Sequence, residues 1–197
     1  MKNSEIVGIC DTVDWNSVIA NLPETPDQVH SPATTNWPAF ESMDEQQHKH
    51  GPKIAAMFRS WRDSKFHMPS IRWGNYYPGK SFPQEVTDNV AKFLKLKGVH
   101  RSCISKIDPG FMTPWHFDGD DQVPTYLKNG NGVILRFHGI IQDSHPGHIF
   151  ILGENEPKDS YVSMPKGTFA RWNVWQDWHA GVNAGITSKY LFHIMGY

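Results

Sequence analysis

The chain has 197 residues, a formal net charge of -1 at pH 7, 39% hydrophobic and 20% charged residues. That length holds one domain with a real core, or one domain plus a helical appendage, and the composition excludes a disordered chain. The near-neutral balance argues against a nucleic-acid binder, which carries a basic excess to meet phosphates.

The first residues lack a long apolar run and a small-residue cleavage pattern, so no signal peptide is expected. No apolar stretch approaches the length that spans a bilayer. The two cysteines, Cys10 and Cys103, form no CxxC spacing and read as separate buried thiols. These features together place the protein in a cytoplasm. Asp14 is positioned to cap a short helix through Leu22, which stops at Pro23. The Pro-rich stretch at 21–41 reads as loop. Pro52 suits the first turn of a helix to about Ser64, whose apolar residues Ile54, Met57, Phe58 and Trp61 follow a 3.6 period. A second helix starts near Pro83, carries a stripe of Val86, Val90, Phe93 and Leu94, and ends at Gly98.

After Gly98 the hydrophobic period becomes two. Strands are expected at Val99–Ile107, Val133–Ile141, His148–Leu152, Ser160–Met164, Thr168–Trp172, Ala180–Asn183 and Lys189–Met195. Gly and Pro turns at 108–110, 129–132, 145–147 and 165–167 separate them, which argues a sandwich or barrel. The chain therefore divides into a helical and loop part, 1–98, packing on a β-rich part, 99–197, as one domain overall. The polar stretch Gly119–Gly132 has the length of a lid.

The sharpest chemical feature is Trp-His-Phe-Asp at 115–118. On an extended chain, residues i and i+2 project to one face, so His116 and Asp118 can meet one ion. His179 follows 61 residues after Asp118, two or three hairpins on, and can supply a third ligand. Two His and one carboxylate leave the opposite positions of an octahedral ion open, the arrangement of non-haem Fe(II) oxygenases. Taken alone, a surface His116 and a turn-forming Asp118 explain the pattern better. Other residues shift that balance. Arg136 and His138 share a face of the apolar strand 133–141, where a buried guanidinium needs an anion, either a neighbouring Asp or a bound carboxylate. Lys189 comes ten residues after His179, returned toward it by a hairpin turning around 184–188. Ser105 lies on the strand leading into the metal turn, with a hydroxyl for a carboxylate or for a sheet edge. Trp115, Trp172, Trp175 and Trp178 are available as pocket walls or core, and Gln176 and Asp177 as ligand-orienting or ordinary loop residues.

With these residues assembled, the C-terminal half resembles the aspartyl/asparaginyl β-hydroxylase branch of the Fe(II)/2-oxoglutarate oxygenases. The matching stretches are ISKIDPGFMTPWHFD, VILRFHGII and MPKGTFARWNVWQDWHAGVNAGITSKYLFHI, roughly residues 99–197. The resemblance implies a double-stranded β-helix, a jelly-roll barrel of the cupin type with flanking helices. It implies Fe(II) on His116, Asp118 and His179, and 2-oxoglutarate held or flanked by Ser105, Arg136, His138 and Lys189. It also implies O2 as co-reactant and hydroxylation of an amino-acid side chain, free or in a peptide or protein. Two positions depart from the branch: its last cation is usually Arg where Lys189 stands, and some members lack the carboxylate that Asp118 supplies. The first half carries no match. Competing readings are a non-catalytic metal-binding sensor of the same barrel, a three-histidine site of His116, His138 and His179, and an oxidative nucleic-acid demethylase, which the charge disfavours. His145 and His148 read as surface turn residues. His193 shares the face of Lys189 and is expected inside the barrel.

Overall fold

The computed structural model describes residues 4–31, 68–116, 134–153, 157–172 and 178–197. In chain order these form β1 (Ser4–Ile9), α1 (Trp15–Ala20), β2 (Gln28–His30), β3 (Trp73–Tyr76), α2 (Gln84–Phe93), β4 (Val99–Ile107) and β5 (Met112–His116). They continue as β6 (Leu135–Ile140), β7 (His148–Gly153), β8 (Pro157–Tyr161), β9 (Thr168–Trp172), β10 (Trp178–Asn183) and β11 (Lys189–Gly196). The strands make a seven-stranded sheet, order β1-β9-β6-β11-β4-β3-β2, and a four-stranded sheet, order β5-β10-β7-β8. From β4 to β11 the described strands alternate between the two sheets, except that β7 and β8 pair as a hairpin, and the pairings between these strands are antiparallel. That winding is a double-stranded β-helix, the jelly roll.

The large sheet is covered on both faces, which explains why its central strands read as almost continuously apolar. Its outer face presents Ile104, Phe137, Phe169, Phe192 and Ile194 to the first half of the chain. Trp15 of α1 packs on Phe169 and Phe192, with centroids 6.1 and 5.6 Å apart, and Phe93 of α2 meets Phe169 at 5.9 Å. The inner face closes on the small sheet through Ile140, Ala170, Trp172 and Leu191 against Phe150, Leu152 and Tyr161.

Local signals set several boundaries. Asp14 caps α1 by accepting from the Ser17 amide, as its side chain predicts. The Asp108–Phe111 turn, with Pro109 second and Gly110 third at φ 82°, carries the chain from the large sheet to the small one. Two expectations need correction. Helix α2 ends at Phe93, not Gly98: Lys95 takes the left-handed conformation at φ 57°, and the Lys95 and Leu96 amides bond back to Lys92 and Ala91. The segment after His179 is not a hairpin. β10 lies in the small sheet and β11 in the large one, so the turn at 184–188 crosses between sheets.

The first half also supplies strands where helix and loop were expected. β1 pairs with β9, and β2 and β3 extend the sheet beyond β4. β5 is a further strand absent from the expected set, masked in sequence by Pro114. The expected helix from Pro52 and the stretch Gly119–Gly132 fall outside the described residues. Among the described residues no helix is long and apolar enough to cross a membrane.

Candidate active site

The small sheet sets His116 of β5 directly opposite His179 of β10. Their ring centroids are 4.1 Å apart with planes inclined at 49°. The pairing is irregular just here: two steps along β10, from His179 to Gly181, span three along β5, from His116 to Thr113. Such a bulge re-aims side chains and accommodates a residue with no ladder donor, here Pro114. Thr113 clasps it from the other side, its Oγ1 accepting from the Gly181 amide at 2.6 Å. The freed Pro114 carbonyl lies 2.6 Å from His116 Nδ1. A carbonyl only accepts, so Nδ1 carries the proton and Nε2 keeps its lone pair. Burial pushes the His116 pKa down to about 4, aided by the Arg136 charge and opposed by hydrogen bonding to the Pro114 and His179 backbone, so the ring is neutral at physiological pH. A neutral imidazole with its second nitrogen tied to a carbonyl is the usual form of a metal ligand.

His179 is buried against Trp172, 4.5 Å between centroids, and more distantly against Phe150. Asp118 lies outside the described residues, as do Trp175, Gln176 and Asp177. Among the described residues no group of three or more His, Cys, Asp and Glu side chains forms a metal site. The donors that the described residues bring together are two imidazoles, which several divalent metals accept.

A cavity of about 130 Å³ opens beside the pair. Its wall includes Ser105, Arg101, Arg136 and Asn75 as well as the two histidines, and no carboxylate among the described residues. The inward face of the large sheet is ordered in rungs. Arg101, Met195, Arg136 and Trp172 form one; Cys103, His193, His138 and Ala170 the next; then Ser105, Leu191, Ile140 and Thr168; then Ile107 with Lys189. Arg136 lies over Trp172, 4.1 Å from its ring centre, and thus on the Trp172 side of His179. Burial, with the Arg101 charge beside it, lowers its pKa to about 9.

Lys189 lies at the far end of those rungs, six residues along β11 from Met195, the register partner of Arg136, or about 20 Å at the strand rise. It is 4% exposed, its Nζ donates to the Ile149 carbonyl, and no carboxylate among the described residues pairs with it. Burial alone brings its pKa from 10.5 to about 7. It stands just behind the cavity wall, at Gly181: a Cβ there would lie 3.7 Å from Nζ. The crossing turn thus delivers Lys189 near the His179 strand, though not by the expected hairpin.

The remaining candidates separate. Ser105 faces the cavity, and its hydroxyl donates to Asn75 Oδ1 at 2.8 Å. His138, 1% exposed, is not on the cavity wall: its Nδ1 accepts from Trp172 Nε1 at 2.7 Å and its ring packs 4.1 Å from Phe150. His138 faces Phe150, Tyr161 and Trp172, away from a site shared with His116, so the three-histidine set does not assemble. His148 is buried, not superficial, and its Nε2 bonds the Thr187 carbonyl to brace the crossing turn. His193 faces inward as alternation implies and lines the cavity. Sequence reading missed His30, Trp73 and Asn75, which line the cavity from β2 and β3. The alternating Trp-Gly-Asn-Tyr at 73–76 was the available signal.

No family model and no curated protein sequence matches the chain. Solved structures do. An oxidoreductase of the 2OG-Fe(II) oxygenase family from Burkholderia pseudomallei aligns over 64% of this chain and 66% of its own, with 11% identity and a TM-score of 0.43. A prolyl hydroxylase from Trichoplax adhaerens, solved with a hypoxia inducible factor oxygen degradation domain peptide fragment, aligns over 93% and 88%, with 12% identity and a TM-score of 0.46. A putative sugar phosphate isomerase from Acidithiobacillus ferrooxidans aligns over 67% and 64%, with 14% identity and a TM-score of 0.37. The chain spans just under two thirds of the first and the third. One barrel hosts many reactions, so the reaction must be read from the side chains.

Proposed function

We propose that this protein is an Fe(II)- and 2-oxoglutarate-dependent dioxygenase that hydroxylates an amino-acid side chain, in a free amino acid or a peptide. The observation that carries the reading is the His116–His179 pair, with His116 Nδ1 tied to the Pro114 carbonyl, close to a buried lysine that has no carboxylate partner among the described residues. His116, His179 and Asp118 would hold the iron. When bound, iron with 2-oxoglutarate and O2 supplies oxidative decarboxylation to succinate and CO2 and insertion of hydroxyl into a C–H bond.

The chain's own work is binding and exclusion. Lys189 seats the far carboxylate of 2-oxoglutarate, because a buried ammonium is stabilised by an anion. Ser105 is its diagonal neighbour on β4 and supplies a hydroxyl to the same seat. Arg136 offers its planar fork on the Trp172 side, and His138 backs the seat through Trp172. Trp172 and Phe150 keep water from His179. Cys10 and Cys103 are both free and buried, in keeping with a cytoplasmic setting.

Anaerobic Fe(II) titration with and without 2-oxoglutarate tests this. The wild type is expected to develop a weak visible charge-transfer band from the keto-acid chelate, and His179→Ala to lose it. Slow succinate formation in air then marks turnover. Absence of the band in wild type, or its persistence in His179→Ala, defeats the proposal; a band without succinate leaves a binding protein.

A further inference from the structure

Asn75 lies on β3, outside the eight strands of the barrel, yet it is 4% exposed and lines the cavity. Its side chain is held at both ends. Oδ1 accepts from Ser105 Oγ at 2.8 Å, and Nδ2 donates to His30 Nε2 at 3.2 Å. His30 stacks on Trp73, 4.6 Å between centroids and 10° from parallel, and Trp73 stands 6.4 Å from His116. One amide therefore connects the proposed cosubstrate seat to an aromatic wall beside the histidine pair.

A serine hydroxyl has a single proton. In this arrangement that proton is committed to Asn75, while a carboxylate, which only accepts, would need it. An asparagine amide can release it. Turned over, the amide presents Nδ2–H to Ser105 Oγ and Oδ1 to His30, whose neutral ring donates from Nε2 once solvent has taken the proton from Nδ1 and returned one to Nε2. The Ser105–Asn75 and Asn75–His30 contacts are both kept in either setting, which keeps the exchange inexpensive.

Resting on the reading of the preceding subsection, we propose that Asn75 is a positioning residue for 2-oxoglutarate: by turning its amide it hands the Ser105 proton to the incoming carboxylate. An aspartate of the same shape cannot do this, because both its oxygens accept and neither can support Ser105 as it turns away. A leucine leaves the Ser105 proton uncommitted.

The test is 2-oxoglutarate affinity, read from the anaerobic Fe(II) charge-transfer band, in Asn75→Asp and Asn75→Leu, each also combined with Ser105→Ala. The expected pattern is a loss of about tenfold or more in Asn75→Asp, a smaller loss in Asn75→Leu, which cannot support the turned Ser105, and no further loss from either once Ser105 is alanine. Asn75→Leu losing as much as Asn75→Asp would indicate a packing role and overturn the proposal. So would an Asn75→Asp loss that persists in the Ser105→Ala background, which would be plain charge repulsion. Should Asn75→Asp not fold, as judged by its melting curve, Asn75→Leu with and without Ser105→Ala decides: a loss that vanishes once Ser105 is alanine supports the proposal, and no loss, or a loss that persists, overturns it. Failure of the oxygenase reading looks different: wild type itself then gives no band.

Discussion

The Nδ1 atom of His116 lies 2.6 Å from the carbonyl oxygen of Pro114, two residues earlier on the same strand. That contact exists because the β5–β10 ladder slips by one residue between His116 and Thr113. In a regular strand the Pro114 carbonyl would belong to the ladder. At the bulge it is free to fix the imidazole, and Thr113 holds the bulge closed against Gly181. Ligand orientation here is a property of strand register.

Thr113→Val tests that dependence. It keeps the shape but leaves the Gly181 amide without its acceptor, which costs about 1–3 kcal/mol. Loss of a group that orients a ligand typically weakens metal binding by about 10- to 100-fold. Thermal melting and Fe(II) titration are expected to report both losses. Wild-type metal affinity in a measurably destabilised variant would show that the bulge does not orient His116.

Gly181→Ala probes the wall between the cavity and Lys189. The new Cβ would stand 2.9 Å from Ile107 Cδ1 and 3.0 Å from Thr113 Oγ1, so neighbours must shift. Overpacking of this kind costs about 1–3 kcal/mol. The methyl also fills the space in front of the Lys189 ammonium. 2-Oxoglutarate affinity is expected to fall by more than metal affinity, measured in the same titration.

Lys189 makes stability depend on pH in a particular direction. Its folded pKa, about 7, lies below the ordinary 10.5 because burial disfavours the charge. Between these values the unfolded chain binds a proton that the folded one does not, so stability rises with pH across that window. Below pH 7 both states are protonated and the penalty is complete. Lys189→Met is therefore expected to melt higher than wild type at pH 6, with the gain shrinking toward pH 10, and to bind 2-oxoglutarate at least tenfold more weakly. A pH-independent difference in melting would place the ammonium in water.

His138→Leu separates support from contact. The substitution leaves Trp172 Nε1 without its acceptor, which costs about 1–3 kcal/mol in melting experiments. Because His138 is not on the cavity wall and its Nδ1 is held by Trp172, 2-oxoglutarate affinity is expected to change by less than about threefold. A tenfold loss would mean that His138 touches the cosubstrate.

The sequence by itself determined much of the second half, because alternation and Gly or Pro turns are local properties: β4 and β9 fall where the pattern puts them, while β5 was not expected and β8 lies at Pro157–Tyr161 instead of Ser160–Met164. It also marked His116 and His179 as a candidate pair. Only the tertiary structure decided that these two face each other across a bulge, that Lys189 arrives by a crossing turn, that His138 accepts from Trp172, and that Asn75 holds Ser105. Each of these depends on which strand lies next to which and in what register. Such choices are made by hydrogen bonds between residues far apart in the chain, and a local period carries no information about them.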